Sequence, residues 1–118
     1  MDPLEIRSDE SLSGSRTLFL KGPVTLGNIF EFQDLVRQVQ AKSLIIVLDE
    51  VSYMDSAGLG AILGAYASCQ RHGRQFGLAN VSPRVRTVLQ VAEVDTLIPW
   101  YDTFEAARLH LASQAESA

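Results

Sequence analysis

Asp55 and Ser56 stand side by side ahead of the run Ala57-Gly58-Leu59-Gly60, which opens an apolar stretch at helical spacing. A serine there has several chemistries open to it: nucleophile, phosphate ligand, helix cap, or acceptor of a phosphate. A serine-hydrolase elbow needs glycine two residues before and after the nucleophile, and Met54 occupies the first of these places. It also needs an oriented histidine base. His72 falls at a helix end and His110 in the C-terminal helix, and both read as exposed surface residues. Gly58, Gly60 and Gly64 give G-x-G-x-x-x-G, which is not the dinucleotide spacing, and no Gly-Lys-Ser/Thr occurs for a P-loop. Asp49, Glu50 and Asp55 read as solvated acids rather than metal ligands. Cys69, the single cysteine, has no second thiol for a disulfide or a zinc pair and reads as a small apolar helix residue.

Two readings of the pair survive this comparison. Either side chain suits a helix cap, where an oxygen satisfies an orphaned amide and contributes about 1 kcal/mol. The same place is electrostatically suited to a phosphate, because a helix N-terminus carries roughly half a positive charge and presents free amides.

The chain that must position this pair has 118 residues, enough for one domain with one core and no metal or disulfide staple. Its formal net charge of −4 argues against non-specific nucleic-acid binding, which needs a basic footprint. The apolar runs are far shorter than the roughly 20 residues of a membrane span, and the start Met1-Asp2-Pro3 has neither a basic flank nor an apolar signal core. The expectation is a cytoplasmic protein with no direct membrane insertion.

The pattern predicts alternating strands and helices over 1–118, with a polar tail at 113–118. Residues 15–22 form a strand ending at Gly22-Pro23, with Leu4-Glu5-Ile6-Arg7 as an edge partner. From Asn28 to Gln40, Ile29, Phe32, Leu35, Val36 and Val39 recur at three and four residues, with Asn28 placed to cap. Ser43 to Val51 is a continuous apolar run and reads as the central strand, buried on both faces. A helix then runs from the Asp55-Ser56 turn to about Arg71 and stops at Gly73. On it Gly60 and Gly64, four apart, leave a groove for close approach. A strand at Gln75–Asn80 follows, then a helix capped by Ser82 with Pro83 at its first position. A short strand at Leu97–Pro99 and an amphipathic helix at Thr103–Ala112 close the chain. Such alternation predicts a mainly parallel sheet with functional groups at the carboxyl ends of its strands, where Asp55 and Ser56 fall.

The stretch Leu44-Ile45-Ile46-Val47-Leu48-Asp49-Glu50-Val51-Ser52-Tyr53-Met54-Asp55-Ser56-Ala57-Gly58-Leu59-Gly60 closely resembles the core of the anti-sigma factor antagonists, a group within the STAS domains. The likeness continues through Ser82-Pro83 and Asp102-Thr103-Phe104-Glu105-Ala106-Ala107 and covers nearly the whole chain. It implies an α/β STAS-like single domain, a mainly parallel mixed sheet of four to five strands with about four helices. It further implies that Ser56 is phosphorylated by an anti-sigma factor serine kinase with a histidine-kinase-like ATPase fold. Unphosphorylated, such a protein binds the kinase and frees the sigma factor; phosphorylated, it lets go; a serine phosphatase resets it. That makes it a kinase substrate and binding module rather than an enzyme. The implied docking surface is the loop at 22–28 together with Thr25, Asp55, Ser56, Ala57, Gly58 and Ala61.

Two positions depart from the family pattern. Thr25 stands where the family has an aspartate, and Ala57 replaces a hydroxyl residue, which leaves Ser56 as the only hydroxyl in the turn. The first departure keeps an alternative open: a STAS adaptor that binds a transporter ATPase or a stress-signalling scaffold without phosphorylation.

Overall fold

The computed structural model describes residues 3–11 and 14–116, with side chains through Gln114. Its elements run β1 (Glu5–Glu10), β2 (Ser15–Val24), α1 (Ile29–Gln38), β3 (Ser43–Met54), α2 (Ser56–Arg71), β4 (Gln75–Ala79), α3 (Pro83–Val91), β5 (Trp100–Tyr101) and α4 (Phe104–Glu116). The five strands form one sheet in the order β1-β2-β3-β4-β5, antiparallel only between β1 and β2. This is the expected mixed α/β architecture.

Ser43 to Leu48 is buried without alternation because both faces of β3 are covered. Leu44, Ile46 and Leu48 pack with Phe32 of α1, Ile62 and Ala65 of α2, and Val85 and Leu89 of α3. Ile45 and Val47 point the other way, with Ala79, toward Ala107 and Leu111 of α4. Three helices thus lie on one face and one on the other. Beyond Leu48 the strand changes character. Two register shifts against β2 each insert an extra residue into β3, and Asp49, Glu50, Ser52 and Tyr53 emerge exposed while Val51 and Met54 stay buried.

Several boundaries differ from the sequence pattern. Strand β2 runs through Gly22 and Pro23 to Val24; the β1 ladder ends at the Glu5–Lys21 pair, so Pro23 lies beyond it and its missing amide breaks no pairing with β1. Asn28 does not cap α1 with its side chain. Its Oδ1 accepts the Thr25 amide at 2.8 Å and its Nδ2 donates to the Pro23 carbonyl at 2.9 Å, so it braces the loop instead. Helix α1 stops at Gln38 because Val39 is extended, at ψ 127°. The predicted strand at Leu97–Pro99 is a turn: the Leu97 and Ile98 amides both donate to the Val94 carbonyl. Pairing starts where the Pro99 carbonyl accepts the Leu78 amide, and the strand is Trp100–Tyr101. Asn80 lies outside β4, at φ 52°. Thr103 precedes α4 and accepts the Ala106 amide at 3.0 Å, and the helix continues past Ala112 to Glu116, into the segment expected as tail. The last two residues of that segment lie outside the described residues.

Other signals are realised as read. Ser82 accepts the Val85 amide with Pro83 opening α3, and Gly73 ends α2 at φ 67° with the Arg74 amide returning to the Cys69 carbonyl. No helix among the described residues is long and apolar enough to cross a membrane.

Candidate functional site

Strands β2 and β3 are parallel neighbours, so their carboxyl ends, Val24 and Met54, emerge together as register partners. The Asp55 amide donates to the Val24 carbonyl at 3.2 Å. Gly58 packs onto the same carbonyl so closely that a Cβ there would lie 2.2 Å from its oxygen. Only glycine permits that approach. The β2–α1 loop and the β3–α2 turn are thereby clamped into one surface.

Asp55 is the N-cap of α2, extended at φ −94°, and its Oδ1 accepts the Gly58 amide at 2.8 Å. Its Oδ2 accepts the Leu26 amide at 3.1 Å. These amides, Gly58 first, hold the carboxyl below its ordinary range against a smaller opposing effect of burial. Asp55 therefore does the structural work of the pair. Ser56, the first residue of α2, is exposed, and among the described residues no hydrogen bond involves its hydroxyl.

The remaining expected site residues divide. Thr25 lies half-buried in the adjoining loop with its Oγ1 enclosed and, among the described residues, without a hydrogen-bond partner. Ala57 is half-buried beside Ser56, whereas Gly58 faces inward onto Val24 and Ala61 is 5% exposed on the floor of a groove between α1 and α2. Three residues that the pattern did not single out join the surface. Leu26 and Phe30 are each 63% exposed and Tyr53 is 45% exposed. The Leu26 amide donates to Asp55, Phe30 lies in the first turn of α1, and Tyr53 pairs with Pro23. Phe30 had a signal in the sequence: it lies off the Ile29, Phe32, Leu35 stripe that the core uses.

Both histidines are engaged elsewhere than at Ser56. His72 follows the sixteen residues of α2, about 24 Å along its axis, with its Nδ1 against the Ser68 carbonyl. His110 is engaged with the Tyr101 hydroxyl at 2.6 Å on α4. Cys69 is buried, and burial pushes its thiol up. Among the described residues no three His, Cys, Asp or Glu side chains gather where they could hold a metal ion.

The family model for the STAS domain matches residues 6–107. The chain belongs to the STAS domain family. This STAS domain is 28% identical over 72 residues to the anti-sigma F factor antagonist of Paenibacillus polymyxa, covering 61% of this chain and 62% of the relative. It is 34% identical over 59 residues to the anti-sigma-B factor antagonist of Bacillus subtilis, covering 50% of this chain and 54% of the relative. The chain thus spans less than two thirds of each of these relatives. In structure it resembles an anti-sigma factor antagonist from Mycobacterium paratuberculosis with a TM-score of 0.83 at 18% identity, covering 92% of this chain and 93% of that one. The resemblance read from Leu44 to Gly60 is borne out by these family relationships, and the STAS domain has the fold they share.

Proposed function

We propose that this STAS domain is an anti-sigma factor antagonist switched by phosphorylation of Ser56. The observation that carries the reading is a division of labour: Asp55 supplies the helix cap, so the adjacent exposed Ser56 hydroxyl has no task in the fold. It is free to be modified. The names of the relatives, anti-sigma F and anti-sigma-B factor antagonist, support the same class of partner.

In the unphosphorylated form the surface around Thr25, Leu26, Phe30, Tyr53, Asp55, Ser56 and Ala57 meets an anti-sigma factor serine kinase with a histidine-kinase-like ATPase fold, and the kinase releases its sigma factor. Ala61 extends this surface along α2, and Gly58 serves it by keeping the two loops together. Exposed apolar side chains gain from burial against a partner, by about 25 cal/mol per Å². Phosphorylation adds about −1.5 to −2 charges beside the Asp55 carboxylate, and a partner that covers the patch must then desolvate or repel a phosphate. The helix N-terminus tolerates the group, so the fold survives the switch. A serine phosphatase restores the hydroxyl. Sigma factor and kinase place this cycle in the cytoplasm.

A second reading has one observation in its favour. Thr25 brings an enclosed, unpartnered hydroxyl to the loop where the family carries an acid, which suits a STAS adaptor that binds a transporter ATPase or scaffold without being phosphorylated. Incubation with the cognate kinase and ATP, followed by phosphopeptide mapping, separates the two. Label on Ser56 supports the switch; label confined to Thr25, Ser52 or Ser82, or no label at all, rejects it.

A further inference from the structure

The amino-terminal edge of the sheet carries a feature that the Ser56 surface does not use. Lys42 and Arg74 immediately precede Ser43 and Gln75, which are register partners of β3 and β4, and the Gln75 amide donates to the Lys42 carbonyl at 2.9 Å. The two cations thus enter neighbouring strands side by side, and together with Gln40, Ala41, His72 and Gln75 they line one open recess of about 340 Å³. Like charges placed in this way repel each other. Yet no acidic residue lines the recess, and among the described residues neither Lys42 nor Arg74 has a carboxylate partner. In a chain of net charge −4, nothing in the fold requires this juxtaposition.

Donors without acceptors continue around the recess. Helix α1 ends at Gln38, and among the described residues the Gln40 and Ala41 amides donate to nothing. Ser15, the register partner of Ser43, is 7% exposed, and its enclosed Oγ has no partner among the described residues. The Lys42 side chain lies 3.7 Å from where a Cβ of the neighbouring Gly14 would stand. The negative charge nearest in the fold is the carboxyl end of α2, whose closing carbonyls are already engaged. Ser68 accepts the His72 amide and ring, Cys69 accepts the Arg74 amide, and Gln70 accepts the Gly73 amide.

We propose that this recess binds a soluble phosphate dianion, free or as the phosphate of a small monoester, between Lys42 and Arg74 with the Gln40 and Ala41 amides as further donors. The guanidinium fork and the ammonium point charge suit a tetrahedral oxyanion, which relieves their mutual repulsion. The volume lies at the lower end of the roughly 300–1,000 Å³ of small-ligand sites, which leaves room for an organic group beside the phosphate. Denser phosphate arrays, on a nucleic acid or an anionic membrane, are repelled by the net negative charge of the chain. The recess is about 24 Å along the α2 axis from Ser56. The inference does not rest on the reading of that residue.

Titration of the isotope-labelled protein with inorganic phosphate and with glycerol 3-phosphate, at constant pH and ionic strength, tests it. Amide shifts should centre on Gln40 to Lys42 and Gly73 to Gln75 and saturate with a dissociation constant of about 1 mM or tighter. Lys42→Gln and Arg74→Gln should each weaken binding about tenfold or more, whereas Arg84→Gln on α3 should leave it unchanged. Without ligand, Lys42→Gln and Arg74→Gln should keep or raise the melting temperature, because each removes one of two repelling charges. A fall of several degrees in both variants would mean that the cations serve the fold, and would overturn the inference. No saturation by about 10 mM, equal shifts with chloride, or shifts produced instead by phosphatidic acid vesicles would each overturn it as well.

Discussion

The Asp55 carboxylate accepts the Leu26 amide at 3.1 Å across 29 positions of sequence, while its other oxygen accepts Gly58 at 2.8 Å. One side chain therefore caps α2 and tethers the β2–α1 loop that lies beside Ser56. Asp55→Ala should lose both functions and destabilise the domain by about 1–2 kcal/mol. Asp55→Asn keeps one acceptor oxygen and should cost less. Urea denaturation gives the energies, and faster exchange of the Leu26 and Gly58 amides would locate the loss; equal stability of wild type and Asp55→Ala would refute the tether.

The same bonds make stability depend on pH with a definite sign. The folded state lowers the Asp55 pKa, chiefly through the Gly58 amide. Its contribution is therefore complete above the unfolded-state value, about pH 4, and is lost as pH falls through the lower folded value. The stability difference between wild type and Asp55→Asn should stay flat from neutral pH to about pH 5 and shrink below about pH 4. The partly solvated position keeps the effect small. A difference that grows on acidification would contradict the assignment.

Gly58 and Ser56 should respond in opposite ways to added atoms. Gly58→Ala drives a methyl to within 2.2 Å of the Val24 carbonyl oxygen and should destabilise by about 3 kcal/mol or more. Ser56→Asp adds charge at an exposed helix N-terminus, where each such interaction is worth about 0.3 to 1 kcal/mol in the stabilising direction. Thermal melts of the two variants should separate widely, with Ser56→Asp close to wild type.

Much of this surface was legible in the sequence, because its cues are local. The apolar run Leu44–Leu48 betrays a strand covered on both faces, and Ser82-Pro83 and Gly73 mark helix ends by their own backbone chemistry. Asp55 and Ser56 were both good cap residues, and only the Leu26 and Gly58 amides decide between them. Competing hydrogen-bond partners, some only three to five residues away, explain the misses. Asn28 looks like a cap but is drawn back by Thr25 and Pro23. Leu97–Pro99 has strand composition, yet the Val94 carbonyl holds it in a turn and pairing begins only at Trp100. The central strand was read only to Val51, yet β3 continues to Met54, and the two bulges fall where Tyr53 emerges exposed.

The outward apolar side chains yield a further prediction. Leu26→Ser, Phe30→Ser and Tyr53→Ser should leave the melting temperature within a few degrees of wild type, since each side chain is largely exposed. The proposed docking surface requires that partner affinity fall, by roughly tenfold for an anchor residue worth about 1.4 kcal/mol. Surface plasmon resonance with the purified kinase partner checks this; three unchanged dissociation constants would move the docking surface elsewhere.

The central claim is that Ser56 is a charge-sensitive contact whose state sets partner affinity without altering the fold. Titration calorimetry of wild type, phosphorylated wild type, Ser56→Ala and Ser56→Asp against the purified kinase, with bound nucleotide held constant, tests it most directly. The account predicts that Ser56→Ala binds like unmodified wild type, while phosphorylation weakens binding by roughly 5- to 150-fold, the usual range of about 1 to 3 kcal/mol for such coupling, with Ser56→Asp at the low end. Equal affinities for all four forms would contradict it and leave Ser56 as nothing more than the residue that follows the Asp55 cap.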